Sequence, residues 1–281
     1  MGKMSKFEKF TSYLFLIIVG VLLGAPFLYM VSIALASDAT TVKVAFTLIP
    51  KEFVFDNFIQ VFTDNHMATY LKNSLIITVI TIFGSVISAS FVSYGFARLN
   101  GRGKNLLFLV LLSTMMIPGE VTMIPQFIIY KELGWINTFL PLIVPSFFAG
   151  AFNVFLIRQF VMAIPRSLDE AAKIDGMGHF GIYSKIIVPL TYPILAAISI
   201  FSFSYNWGNF MGPLIYINDP EKTPLALGVQ LISTVSGGQV PPWNIVMVAS
   251  LFLTIPMILV YFIGQKYVYE ANISGGSSGI K

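Results

Sequence analysis

Two histidines, His66 and His179, and no cysteine narrow the chemistry open to this chain of 281 residues. Without thiols there is no thiolate nucleophile and no disulfide, and redox usage does not mark a compartment. Long apolar runs separate the two histidines, so a histidine-based metal site is not expected, and no Ser/His/Asp constellation accompanies them. Gly176-Met177-Gly178-His179-Phe180-Gly181 has the spacing G-x-G-x-x-G. That spacing serves a dinucleotide only after a strand and inside a βαβ unit. Here a helical stretch precedes it and an apolar run follows, so the match is rejected. No G-x-x-x-x-G-K-[ST] is present, so the chain holds no ATP through a P-loop. The reading is of a chain with no catalytic residue, no metal site and no cofactor of its own, and not of an enzyme.

The remaining polar groups of interest stand alone in apolar surroundings. Glu120 is the one acid inside an expected membrane span. A carboxylate at that depth is costly, and by default it faces a bundle interior or a water-filled path. Pro118-Gly119 breaks the helix just before it, so Glu120 could equally accept freed backbone amides or sit near the outer surface. Tyr205, Asn206, Trp207 and Asn209 lie shortly before Pro213. Amides and rings there could line a sugar path by hydrogen bonding and stacking, or could join helix to helix.

The elements that must hold these groups are membrane helices. Apolar residues make up 56% of the chain and charged residues 11%, with a mean hydropathy of +0.80. A soluble domain has about 45–50% apolar and about 25% charged residues. Six uncharged or nearly uncharged runs, at 10–37, 73–97, 105–129, 133–157, 186–218 and 243–265, are each long enough to cross a bilayer. The expected class is therefore all-α and polytopic, with six transmembrane helices. Residues 1–12 form a short polar N-terminus, 13–265 the six-span domain with an outer loop at 38–72, and 266–281 a C-terminal tail. Prolines 118, 125, 141, 145, 193, 213 and 256 interrupt the runs, which suits a bundle that lines a pathway better than a passive anchor. No inverted repeat of the kind common in secondary transporters is visible.

With the N-terminus placed inside, twelve basic residues fall on inner segments and five on outer ones. The positive-inside rule thus puts both termini and the loop 164–189 in the cytoplasm of a multi-pass cell-membrane protein. The net charge of +4 reflects these basic inner loops; no basic run interleaved with aromatics points to nucleic acid.

That inner loop is the most polar island in the apolar part of the chain. Residues 167–189 read SLDEAAKIDGMGHFGIYSKIIVP, and Arg166, Asp169, Glu170, Lys173, Asp175 and Lys185 crowd charge into it. Ser167 with Glu170 fits a capping box. Leu168, Ala171 and Ala172 then share one face of a short helix. Gly176 ends it where a left-handed residue is wanted. A short rigid helix with small alanines, set between two spans, has the form of a docking element.

At these residues the chain resembles the permease subunits of ABC importers. Glu170-Ala171-Ala172, three residues, Gly176, nine residues, and then Ile186, Val188 and Pro189 follow the family's EAA pattern, with Val188 where the pattern has Leu. Asn57-Phe58, Asn73-Ser74, Tyr94-Gly95-Phe96-Ala97-Arg98, Met116-Ile117-Pro118, Pro213-Leu214 and the Gly/Ser tail are similar to the carbohydrate-uptake subfamily. The short N-terminus and the tail are most similar to the second permease subunit of maltose-type importers, although relatives often end in Lys-Gly and this chain ends in Lys281.

The resemblance implies an importer with a sister permease subunit, two ATPase subunits that bind ATP and magnesium, an external solute-binding protein, a sugar substrate and surrounding lipid. It implies that Ser167, Leu168, Asp169, Glu170, Ala171, Ala172, Asp175, Gly176 and Pro189 couple to an ATPase. Glycerol phosphate or another polar solute is the alternative cargo, and a secondary transporter without an ATPase the alternative class.

Overall fold

The computed structural model describes residues 5–37, 49–50, 52–234 and 241–276. Most of the expected outer loop before residue 52, and the tail from 277 to Lys281, lie outside these residues. Every regular element among the described residues is a helix. In chain order they are α1 (Lys6–Ala34), α2 (Asp56–Thr63), α3 (Met67–Arg98), α4 (Lys104–Met116), α5 (Gly119–Glu132), α6 (Leu140–Ala163), α7 (Ser167–Ile174), α8 (His179–Leu190), α9 (Tyr192–Trp207), α10 (Met211–Tyr216), α11 (Leu225–Ser233) and α12 (Trp243–Gly276).

Helices α1, α3, α6 and α12 are long and apolar enough to cross a membrane. The pairs α4–α5 and α8–α9 are bent by 99° and 74° at short breaks, and six spans result if each pair counts as one. The prolines explain the bends only in part. Pro118 sits in extended backbone (φ −60°, ψ 134°) and separates α4 from α5. By contrast, Pro26, Pro125 and Pro256 lie inside continuous helices. The run at 186–218, expected as one span, is divided twice, at Thr191 and after Trp207.

The chain forms two compact units. In the first, residues 1–68 with 228–254, Asn57 is the joint. Its Nδ2 donates to the carbonyls of Ala34 and Ala36 at 2.9 and 3.0 Å, and its Oδ1 accepts from Asn244 Nδ2 at 3.0 Å. One buried amide thus satisfies the carbonyl of Ala34, the last residue of α1, which has no partner within the helix, and that of Ala36 just beyond it. Ser5 and Glu8 form a full capping box at the start of α1.

The second unit, residues 69–227 with 255–281, contains the sites of interest. Its core joins Ala89, Tyr94 and Ala97 of α3 with Val154, Ile157 and Val161 of α6, Ala172 of α7, Ile182 and Ile187 of α8, and Ile194 and Ile198 of α9. Small residues let these helices come close. A Cβ on Gly84 would lie 2.5 Å from Ser146 Oγ and 2.8 Å from the Phe147 ring. Ser93 Oγ donates to the Val154 carbonyl at 2.9 Å.

At the other end of α3, Asn73 Nδ2 donates to the carbonyls of Glu221 and Thr223 at 2.9 and 3.0 Å. Ser74 Oγ accepts the Leu225 amide at 2.7 Å. Asn137 Oδ1 accepts the amides of Asn218 and Asp219 at 3.1 and 2.9 Å. These side chains satisfy the backbone of an otherwise irregular segment.

Candidate functional site

The polar loop folds as a helix with a glycine stop. Helix α7 covers Ser167–Ile174. Gly176 has φ +81°, and two bonds close the end: its amide to the Lys173 carbonyl at 3.0 Å and the Met177 amide to the Ala172 carbonyl at 2.9 Å. This is a Schellman closure, in which only a residue tolerant of left-handed backbone fits well at Gly176.

The start of the helix differs from the expectation. Arg166, at φ −68° and ψ −21°, already has helical backbone and is the cap residue, and no side chain caps α7. The Arg166 carbonyl takes the amides of Asp169 and Glu170 at 3.0 and 3.1 Å. Ser167 is therefore the first helical residue, one position too late to cap, and the Ser167–Glu170 box does not form. Asp169 and Glu170 still favour the helix through its positive N-terminus.

The two faces of α7 are unlike. Asp169 and Ala172 are buried against the unit. Glu170, Ala171, Lys173 and Asp175 are exposed, and so are the apolar Leu168, Ile174 (86%) and, beyond the glycines, Phe180. Exposed apolar residues beside charged ones suit a surface that another protein covers.

Arg98, the last residue of α3, fixes the inner face. Its Nε lies 3.1 Å from Asp169 Oδ2, and the two side chains are 3% and 12% exposed. The contact is an off-axis ion pair rather than an aligned hydrogen bond. The guanidinium makes its aligned bond through Nη2, to the Ile164 carbonyl at 2.8 Å.

Beyond Gly176 the chain enters a π-helical stretch, Tyr183–Ile187, just before Pro189. Pro189 has no amide to donate, which favours an irregular ladder there. Thr191, fully buried, closes the bend by sending its Oγ1 to the Ile187 carbonyl at 2.8 Å. Tyr183 hydroxyl reaches Ser90 Oγ of α3 at 3.2 Å.

A cavity of about 760 Å³ opens elsewhere in the same unit. Glu120, Tyr205, Asn206 and Asn209 all line it, together with Gln126, Asn153, Ser85, Tyr130, Phe152, Phe201 and Tyr216. Trp207 does not line it; it is 3% exposed and stacks on Phe203 with centroids 5.4 Å apart.

Glu120 stands in the first turn of α5 and is exposed. No hydrogen bond or ion pair holds it among the described residues, so the freed amides at Pro118-Gly119 are not its partners. Asn206 Nδ2 donates to the Ser202 carbonyl at 2.7 Å, and Asn209 Oδ1 accepts the Gly212 amide at 3.1 Å. Among the described lining residues Glu120 is the one charged group; the other polar ones offer amides and hydroxyls, and aromatic and aliphatic side chains make up the remainder. That surface can hydrate or hydrogen-bond a polar, uncharged molecule. Gln126 and Asn153 escaped the sequence reading, although an amide inside an apolar run is a signal of the same kind as Glu120.

Residues 81–271 match the family described as "Binding-protein-dependent transport system inner membrane component". The polygalacturonan/rhamnogalacturonan transport system permease protein YtcP of Bacillus subtilis is 32% identical over 279 residues, 95% of this chain and 96% of its own. The arabinooligosaccharides transport system permease protein AraQ of Halalkalibacterium halodurans is 30% identical, covering 90% of this chain and 91% of its own. The trehalose/maltose transport system permease protein MalG of Thermococcus litoralis is 29% identical, covering 94% of this chain and 96% of its own. In fold, the chain is similar to one in the crystal structure of a bacterial ABC transporter involved in the import of the acidic polysaccharide alginate. The TM-score is 0.82 at 23% identity, over 95% of this chain and 99% of that one.

Proposed function

Because the chain belongs to the family of binding-protein-dependent transport system inner membrane components, we propose that it is one permease half of an ATP-driven importer of oligosaccharides. Its partners are a sister permease, two ATPase subunits that bind ATP and magnesium, and an external solute-binding protein. Its own role is mechanical and not catalytic. The loop 164–189 and both termini face the cytoplasm, in keeping with the distribution of basic residues. Helix α7 lies against one ATPase through its exposed face, Leu168, Glu170, Ala171 and Ile174. Closure of the ATPases on ATP displaces α7, and the bundle passes from inward-open to outward-open while the loaded binding protein is docked outside. ATP supplies the difference in affinity between the two states.

The observation that carries this reading is the build of α7: a helix locked at its end by Gly176, with its inner face in the bundle core and an outer face of mixed apolar and charged residues uncovered. A docking handle needs those properties together. The cavity supports a saccharide cargo, since its amides and rings are the groups that bind hydroxyls and sugar faces. Its one charged lining group among the described residues is an acid, which gives no support to an anionic cargo.

The test is uptake in proteoliposomes that contain this chain, its sister permease and the ATPases. Uptake of a labelled oligosaccharide is expected only with internal ATP and the external binding protein together. Uptake driven by an ion gradient without ATP would contradict the proposal.

A further inference from the structure

We propose that Arg98 is the positioning residue that makes α3 a push rod, carrying displacement of α7 to the cavity wall. This rests on the functional reading above. The Arg98 guanidinium meets three elements at one point: it terminates α3, bonds the Ile164 carbonyl at the end of α6 at 2.8 Å, and pairs with Asp169 in the first turn of α7 at 3.1 Å. Helix α7 buries only Asp169 and Ala172. The glycine closure and Ala172 hold its last turn, so the ion pair is the attachment of its first.

Besides the 151–163 part of α6, whose end Arg98 bonds at the Ile164 carbonyl, the stiff route from this loop toward the cavity is α3. It runs unbroken from Met67 to Arg98 with no proline. Helix α6 is interrupted only beyond its cavity-lining Phe152 and Asn153, at 148–150, whereas α8–α9 contains a π-helical stretch and bends by 74°. Bent and π-helical segments are the ones that yield under load. Ser85 of α3 lines the cavity, thirteen residues before Arg98, which is about 20 Å along the helix at 1.5 Å per residue. The Tyr183–Ser90 hydrogen bond holds α3 to the far arm of the loop as well. A push on α7 therefore moves α3 with it, and Arg98 is the joint.

The chain has no cysteine, so paired spin labels can be placed in it with no competing site of its own, the partner subunits being freed of cysteine by substitution. In the assembled importer, labels at Lys173→Cys and Asn100→Cys report the distance between α7 and the end of α3. With Arg98 intact, that distance is expected to stay the same in the nucleotide-free and ATP-bound states. A shift on ATP binding would show that α7 moves without α3 and would overturn the proposal, whether or not any Arg98 variant folds.

In Arg98→Gln the distance is expected to change with nucleotide. The stimulation of ATPase by loaded binding protein should fall about tenfold, while the basal ATPase rate and co-purification of the ATPase are retained. Stimulation equal to that of the unaltered importer would also overturn the proposal. A purified particle without any ATPase subunit would instead overturn the functional reading, and this inference with it.

Discussion

Gly176 makes the strictest demand on a single residue. Its φ is +81°, and an added Cβ would meet nothing within 4 Å. The cost of replacing it is therefore backbone strain alone, about 1–2 kcal/mol for an ordinary side chain. Asn tolerates left-handed backbone better than Ala, and β-branched Val worst. Stimulation of ATPase by loaded binding protein should fall in the order Asn, Ala, Val. Equal loss in all three would mean that something other than the turn is being disturbed.

Glu120 poses a question of charge. As the one charged lining group among the described residues, it should matter for passage and not for folding. Glu120→Gln is expected to lower uptake at normal protein level. Glu120→Lys should raise the relative uptake of an acidic oligosaccharide over a neutral one in the same assay. Unchanged uptake in both would remove Glu120 from the path.

At this scale the sequence was half legible. Gly176 declared itself, because a glycine after a short helical pattern has few other uses. The capping box misled, since Arg166 adopts helical backbone one residue early. The Arg98–Asp169 pair could not be read at all: its members lie 71 positions apart, and no local pattern marks a long-range ion pair.

Between helices, close approach is the governing constraint. Gly84 lets α3 meet the turn at Ser146 and Phe147. Gly84→Ala forces that contact apart and should destabilise the protein by about 1–3 kcal/mol, seen as earlier thermal unfolding in detergent. Full stability would mean that the two elements do not meet there in solution.

The six apolar runs were legible because hydrophobic length alone decides whether a helix can span. The bends were not. Pro118 breaks the α4–α5 pair, whereas Pro125 and Pro256 lie in continuous helix. At Thr191 the bend depends on hydrogen bonding in a π-helical stretch, and composition does not show hydrogen bonding. Trp207 illustrates the same limit: its neighbours in the sequence line the cavity, while its own ring turns into the core.

For the molecule as a whole, the outward faces are left for other chains and for lipid. Helix α1 exposes an apolar surface along most of its length, and a bilayer covers such a surface at no desolvation cost. The exposed apolar residues of the loop 164–189 differ in kind, standing among Lys173, Asp175 and Lys185. A membrane does not suit such a mixture, and a protein partner does.

The central claim is that α7 is the handle by which a separate ATPase moves this bundle. The most direct measurement is photo-cross-linking from Ile174, 86% exposed at the end of α7, with a photoreactive amino acid substituted there in whole cells. Capture of the ATPase subunit, at a yield that changes when ATP is depleted, is the expected outcome. Capture of the external binding protein, or labelling of an Ile174→Cys variant by a membrane-impermeant maleimide added outside, would contradict it.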